Sequence, residues 1–305
     1  MIIQIYEIQT PREAEKCIEL GVDHVGSVLL SQDEWRVPEL KEVVRLSDGT
    51  DTKNSVIPLF QGMDNLFRSL DYYRPHYVHF CHSLTDNEGR EIDLAGYINF
   101  QTILKEKFPE IGIMRSVPIP RKGVSPHFPT LKIARSLEPT SDIFLTDTWL
   151  GQEPVEGYIG ITGKTADWEV ARELVLQSNI PVILAGGLSP ENVYEAINKV
   201  FPDGADSCTG TNKTDQDGKP VRFKKDFQKV EEFVKEVQRF EKEIDLKKEE
   251  LVVKLNQLKE ELREREAALP AHSIRPNQLM AIEELEEAIA IKEREINNTN
   301  KRDSQ

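Results

Sequence analysis

Several short stretches of this chain carry side chains able to do chemistry. In FLTDT, residues 144–148, Asp147 closes an apolar run. On a strand it shares one face with Leu145 and Ile143, which aims a carboxylate at the end of a sheet, where it can give or take a proton. In HYVHFCH, residues 76–82, Cys81 lies two residues from His79 on the same face, an arrangement that can activate a thiol as base or nucleophile. His76 and His82 fall on the opposite face, so the four side chains do not converge on one metal ion. LAGGLSPENV and GADSCTG place Gly186, Gly187, Thr209 and Gly210 after two further apolar runs, where small residues let backbone N–H groups approach an anion. GITGKTADW, residues 160–168, contains Gly-Lys-Thr, but a P-loop needs a glycine where this chain has Tyr158. QIYEIQT, residues 4–10, ends the first apolar run with a phenol and a carboxylate, Tyr6 and Glu7. Tyrosine is a poor base, with an ordinary pKa of about 10, and strand alternation turns Glu7 away from the face of Tyr6.

These residues need a scaffold that gathers strand ends. Apolar runs occur at 2–8, 23–30, 54–60, 76–81, 111–117, 142–147, 180–187 and 204–210, and amphipathic segments separate most of them. TPREAEKCIELG reads as a helix capped by Thr10, with Pro11 in its first turn and Gly21 past its end. SPENVYEAINKV reads as another, with Ser189 as cap, Pro190 next and Glu191 in the first turn. Strand and helix alternating eight times over the first 220 or so residues is the pattern of a (β/α)8 barrel, with a doubly wound open sheet as the alternative. In a barrel, chemistry sits at the C-terminal strand ends.

All 17 glycines lie at or before Gly218 and no aromatic residue follows Phe240, so the chain changes character after the last run. The expected domains are a barrel over 1–236 and an α-helical hairpin over 237–305. Residues 226–268 read as one helix with a seam of Ile244, Leu251, Leu255, Leu258 and Leu262. ALPAHSIRP makes a turn, and a second helix carries Leu279, Ile282, Leu285 and Ile289 on one stripe, giving an antiparallel pair. So narrow a stripe needs a partner, either the barrel or a second copy in a homodimer through these helices. A net charge of −14 argues against nucleic acid as a partner. No apolar stretch approaches the roughly 20 residues of a membrane span. Three cysteines at unrelated spacings and an N-terminus without a secretory pattern point to the cytoplasm.

GITGKTADW, LAGGLSPENV, GADSCTGTN, FLTDT and the arginine of SQDEWR together resemble the phosphoribosylanthranilate isomerase family of tryptophan biosynthesis, over residues 1–236. The resemblance implies a (β/α)8 barrel that binds a phosphorylated sugar-like molecule and turns an aminoaldose into an aminoketose, with no cofactor or metal. It implies that Asp147 is the general acid, that Arg36 and Asp206 bind substrate at the mouth, and that Gly186, Gly187, Thr209 and Gly210 hold its phosphate. Three positions depart from the pattern. Ile161 replaces a glycine, Cys208 replaces a serine, and Tyr6 stands where the family has a cysteine base. Cys81 is then the candidate for a relocated base. A barrel that keeps the phosphate site but has lost catalysis and acts as a sensor is the alternative, and a phosphosugar enzyme of different chemistry is a third.

Overall fold

The computed structural model describes residues 1–60, 62–124, 127–270 and 275–300. The elements run β1 (Ile2–Ile5), α1 (Pro11–Glu19), β2 (His24–Leu29), α2 (Pro38–Arg45), β3 (Lys53–Pro58), α3 (Met63–Tyr73), β4 (Tyr77–Phe80), α4 (Ala95–Lys107), β5 (Gly112–Pro120), α5 (Thr130–Leu137), β6 (Ile143–Trp149), α6 (Trp168–Gln177), β7 (Val182–Leu184), α7 (Val193–Val200), β8 (Gly204–Ser207), β9 (Asn212–Thr214), β10 (Pro220–Lys225), α8 (Phe227–Ala267) and α9 (Pro276–Asn300). β1 to β8 are parallel and close on themselves, with Ile2 of β1 opposite Gly204 of β8 and Ile5 opposite Ser207. That closure makes the fold a (β/α)8 barrel and excludes the open sheet.

Aspartates latch the closed end. Asp23, Asp142 and Asp203 precede β2, β6 and β8, and each carboxylate accepts an N–H from the first two residues of a neighbouring strand: Ile3 at 2.8 Å, Ile113 at 2.7 Å and Val182 at 2.7 Å. Three otherwise unpaired strand-end donors are satisfied in this way. The interior holds Met114, Ile143, Leu145, Ile183 and Ala185, so the face shared by Ile143, Leu145 and Asp147 points into the barrel. A second apolar layer forms outside it, where Val78, Phe80 and Ile113 meet Leu66, Leu70 and Leu104.

α1 starts where its cap predicts. Thr10 Oγ1 accepts from Glu13 N at 3.4 Å and the Glu13 carboxylate accepts from Thr10 N at 3.2 Å, a reciprocal capping box. α7 starts later than Ser189. Asn192 takes the Ser189 N–H at 2.9 Å and donates to Gly187 O at 3.0 Å, which folds residues 189–192 into a turn and leaves Asn192 as the cap. The first strand is also shorter than its apolar run, because Glu7 adopts φ +63 and turns the chain.

The chain divides into two compact units, Met1–Gln238 and Arg239–Gln305. α8, 41 residues long, begins in the first, where it buries Val230, Phe233, Val234 and Val237 at helical spacing. In the second unit Ile244, Leu251, Leu255, Leu258 and Leu262 are half-buried, and α9 buries Leu285 and Ile289 while Leu279 is exposed. Lys259 of α8 and Glu293 of α9 form an ion pair at 2.6 Å. The turn expected over ALPAHSIRP falls partly on residues 271–274, outside the described residues. Among the described residues no helix is long and apolar enough to cross a membrane.

Candidate active site

The C-terminal strand ends surround a pocket whose lining includes Asp147, Asp206, Tyr6, Glu7, Cys81 and the glycine loops. Asp147, near the end of β6, accepts the Thr148 N–H at 2.9 Å. The loop after β6 presses against this carboxylate at Gly160, where φ is +100 and any Cβ would stand 2.1 Å from Asp147 Oδ2. Only glycine fits there on both counts. Burial pushes the Asp147 carboxyl up to about 7, against the pull of the Thr148 N–H and with help from the charge of Glu153. Asp206 on β8 accepts from Gln4 Nε2 at 3.1 Å, and burial raises its carboxyl to about 8.

Tyr6 points into the barrel. Its ring lies over Gly26, where a Cβ would come within 2.2 Å. Its hydroxyl is 2.7 Å from Ser55 Oγ and 2.6 Å from His79 Nδ1, and His79 Nε2 lies 2.7 Å from Ser116 Oγ. This buried chain of four polar side chains uses both imidazole nitrogens. Burial drives the Tyr6 hydroxyl well above its ordinary pKa, and burial together with the Arg115 charge lowers His79 to about 3. Cys81 therefore lacks the imidazole expected to activate it. Burial, and then the charge of Asp147, push its thiol up to about 12, outweighing Arg115. Neither Cys81 nor Tyr6 is placed as an ionised base at neutral pH, because burial favours the neutral form of both.

The glycine loops converge as their spacing suggests. Gly163, Gly186, Gly187 and Thr209 all line the pocket. Gly187 has φ +64 and a Cβ there would meet the backbone of Lys164 at 2.6 Å, so the loops after β6 and β7 touch main chain to main chain. Gly210 stands one step back from the pocket, against Leu188 O. Beneath the loop after β8 lies Lys225, 2% exposed, donating to Cys208 O at 2.7 Å and Asn212 Oδ1 at 2.6 Å. Ile161 has φ +61, a strained conformation for a β-branched residue. Arg36 is not brought into the pocket; it is exposed on the loop after β2, over the Tyr72 ring at 4.8 Å. Among the described residues no group of His, Cys, Asp or Glu side chains is arranged to hold a metal ion.

The model of the N-(5'-phosphoribosyl)anthranilate (PRA) isomerase family matches residues 109–236, which hold β6, both glycine loops and β8. Residues 109–236, less than half of the chain, are similar to that family. Among relatives, the N-(5'-phosphoribosyl)anthranilate isomerase of Haloferax volcanii is 47% identical over 77 residues, 25% of this chain and 33% of that one. The isomerase of Methanothrix thermoacetophila is 28% identical over 236 residues, 76% of this chain and 96% of that one. The chain spans 33% to 56% of the length of the first four curated relatives it matches. The structure of the isomerase from Pyrococcus furiosus shares the fold at TM-score 0.55 and 23% identity, covering 78% of this chain and 99% of that one.

Against the isomerase family's pattern, the main surprise is Glu7. Because φ is +63 there, strand alternation does not apply, and Glu7 lines the same pocket as Tyr6. Its carboxylate is 1% exposed and accepts from Arg222 Nε at 2.7 Å, Asn212 Nδ2 at 2.9 Å and Phe223 N at 3.1 Å. Burial alone would raise this carboxyl, but the three donors and the Arg222 charge outweigh it and hold the group below its ordinary pKa. Arg222 and Phe223 come from the β9–β10 hairpin. Asp217-Gly218 between Thr- and Val-bearing flanks is a sequence signal for that turn, but nothing local announces that it returns to β1.

Proposed function

We propose that this barrel isomerises phosphoribosylanthranilate, an aminoaldose, to the corresponding aminoketose, with Asp147 as general acid and Glu7 as general base. The observation that carries the reading is Asp147, whose carboxyl is held at about 7 in the same pocket as the glycine loops. At neutral pH it is part protonated, as needed to give a proton to the furanose ring oxygen. Opening the ring leaves a protonated imine, and removal of the C2′ proton gives an enamine that becomes the ketose on tautomerisation. Glu7 is the ionised carboxylate in the pocket able to take that proton, and Arg222 fixes its orientation. Tyr6 and Cys81 then act as walls. Backbone around Gly163, Gly187 and Thr209 supports phosphate binding, with Lys225 behind the last loop. In this conformation the pocket holds about 70 Å³, against about 300 Å³ or more for a typical small-molecule site. Entry of the substrate therefore requires the pocket to widen.

Purified protein given phosphoribosylanthranilate should consume it. Asp147→Asn and Glu7→Gln should each lower kcat by about 10²-fold or more, while Cys81→Ser should stay near the wild-type rate. Binding without turnover would instead make the barrel a phosphosugar-binding protein. Three unpaired cysteines support a cytoplasmic setting for the reaction. Exposed apolar residues on the C-terminal helices, among them Val253 and Met280, support self-association there.

A further inference from the structure

β5 carries a charge in the row of side chains that faces the helices. Register places Arg115 opposite Phe80 and Ile113 opposite Val78, and the other three belong to the apolar layer beneath α3 and α4. Arg115 is 1% exposed. Its Nη2 reaches the His82 carbonyl at 3.4 Å, its guanidinium carbon lies 5.1 Å from the Tyr97 ring centre, and its Nε has no hydrogen-bond partner. Burial lowers its pKa to about 10, and the groups that oppose this are Cys81 and Tyr97, not a carboxylate. A buried cation so poorly compensated is destabilising unless something pairs with it.

Arg115 borders a cleft of about 380 Å³, lined by Phe60, Phe80, Tyr97 and Phe100 and sharing no lining residue with the barrel mouth. Two more buried polar atoms on its edge lack partners, His82 Nδ1 and Gln101 Oε1. Gln101 Nε2 is already committed to Thr140 and Ser141, so its oxygen is fixed as an acceptor. We propose that this cleft is a second binding site, for a small carboxylic acid with a flat apolar body: the carboxylate pairs with Arg115, the body lies among the aromatic rings, and an amine or hydroxyl on it donates to Gln101. A single guanidinium among apolar walls matches a monoanion; a phosphate dianion would leave an uncompensated charge in the cleft.

The test uses benzoate as the carboxylate probe, with benzyl alcohol and inorganic phosphate as controls, read by the melting temperature of the full chain. Benzoate should raise it progressively with concentration, as any ligand of the folded state does, and benzyl alcohol should not; any rise given by phosphate alone comes from the barrel mouth and should be the same in Arg115→Met. Excess phosphate, which competes for the barrel mouth, should leave the benzoate response intact. Arg115→Met should melt at or above the wild type without ligand, since an unpaired buried charge is gone, and should lose the response. Gly96→Leu tests the cleft without touching Arg115. A Cβ on Gly96 meets nothing within 4 Å, so the larger side chain has room at the edge of the cleft, and leucine favours α4. It should fold and lose the response too. No benzoate response in the wild type, a response abolished by phosphate, or a full response in either folded variant would overturn the proposal.

Discussion

Asp147 and Asp206 hold their protons in the folded barrel at a pH where the unfolded chain has released them, with carboxyls at about 7 and about 8. Between roughly pH 4 and these values the native state binds more protons than the unfolded one, so stability falls as pH rises through that window. Below pH 4 both states are protonated and the effect vanishes. Asparagine keeps the shape and removes the ionisation. Asp147→Asn and Asp206→Asn should therefore be about as stable as the wild type at pH 4 and progressively more stable than it towards pH 8, by on the order of 4 kcal/mol each. Melting curves across that range check this; an offset that does not change with pH would show that ionisation is not the source. A site that gains stability when its acid is removed holds that acid under strain for a reason other than folding.

At the scale of elements, the β9–β10 hairpin is the piece that completes the mouth. Arg222→Met removes the cation from a carboxylate that is 1% exposed, and leaving such a group buried costs about 3 kcal/mol. Glu7 is held below its ordinary pKa, so its stabilising contribution is present above that value and lost as pH falls through the lower, folded one. The Arg222→Met penalty should accordingly be largest at neutral pH and shrink on acidification. A penalty that persisted unchanged in acid would point to lost packing of the arginine stem instead. This is also where local sequence stops informing. The apolar runs, the Thr10 cap and the inward face of Asp147 were readable because each depends on neighbours a few residues away. Alternation misplaces Glu7 because it presumes an extended strand, and the partner of Glu7 lies 215 residues on. Arg36 was expected at the mouth, but the loop after β2 holds it against Tyr72. Nothing in residues 111–117 marks Arg115 out, since periodicity does not distinguish the inner from the outer wall of a barrel.

For the whole molecule, the C-terminal helices carry apolar side chains beyond their own seam, with Val253 56% and Met280 58% exposed. Surface of this kind is costly in water unless covered. The chain should sediment as a dimer, and the double substitution Val253→Lys with Met280→Lys should return it to a monomer while leaving the barrel folded. A wild type that sediments as a monomer would remove this reading. The Glu7 pairing has a consequence of a different kind, in time. A ribosome delivers β1 first and the β9–β10 hairpin more than two hundred residues later, so an emerging chain cannot place Glu7 in its final setting until the hairpin is free. Until then the carboxylate belongs in water, and the first strand has reason to stay out of a closed barrel. A single ion pair thus links closure of the sheet to completion of the domain, and a chain released before Arg222 should remain open to proteolysis at its first strand.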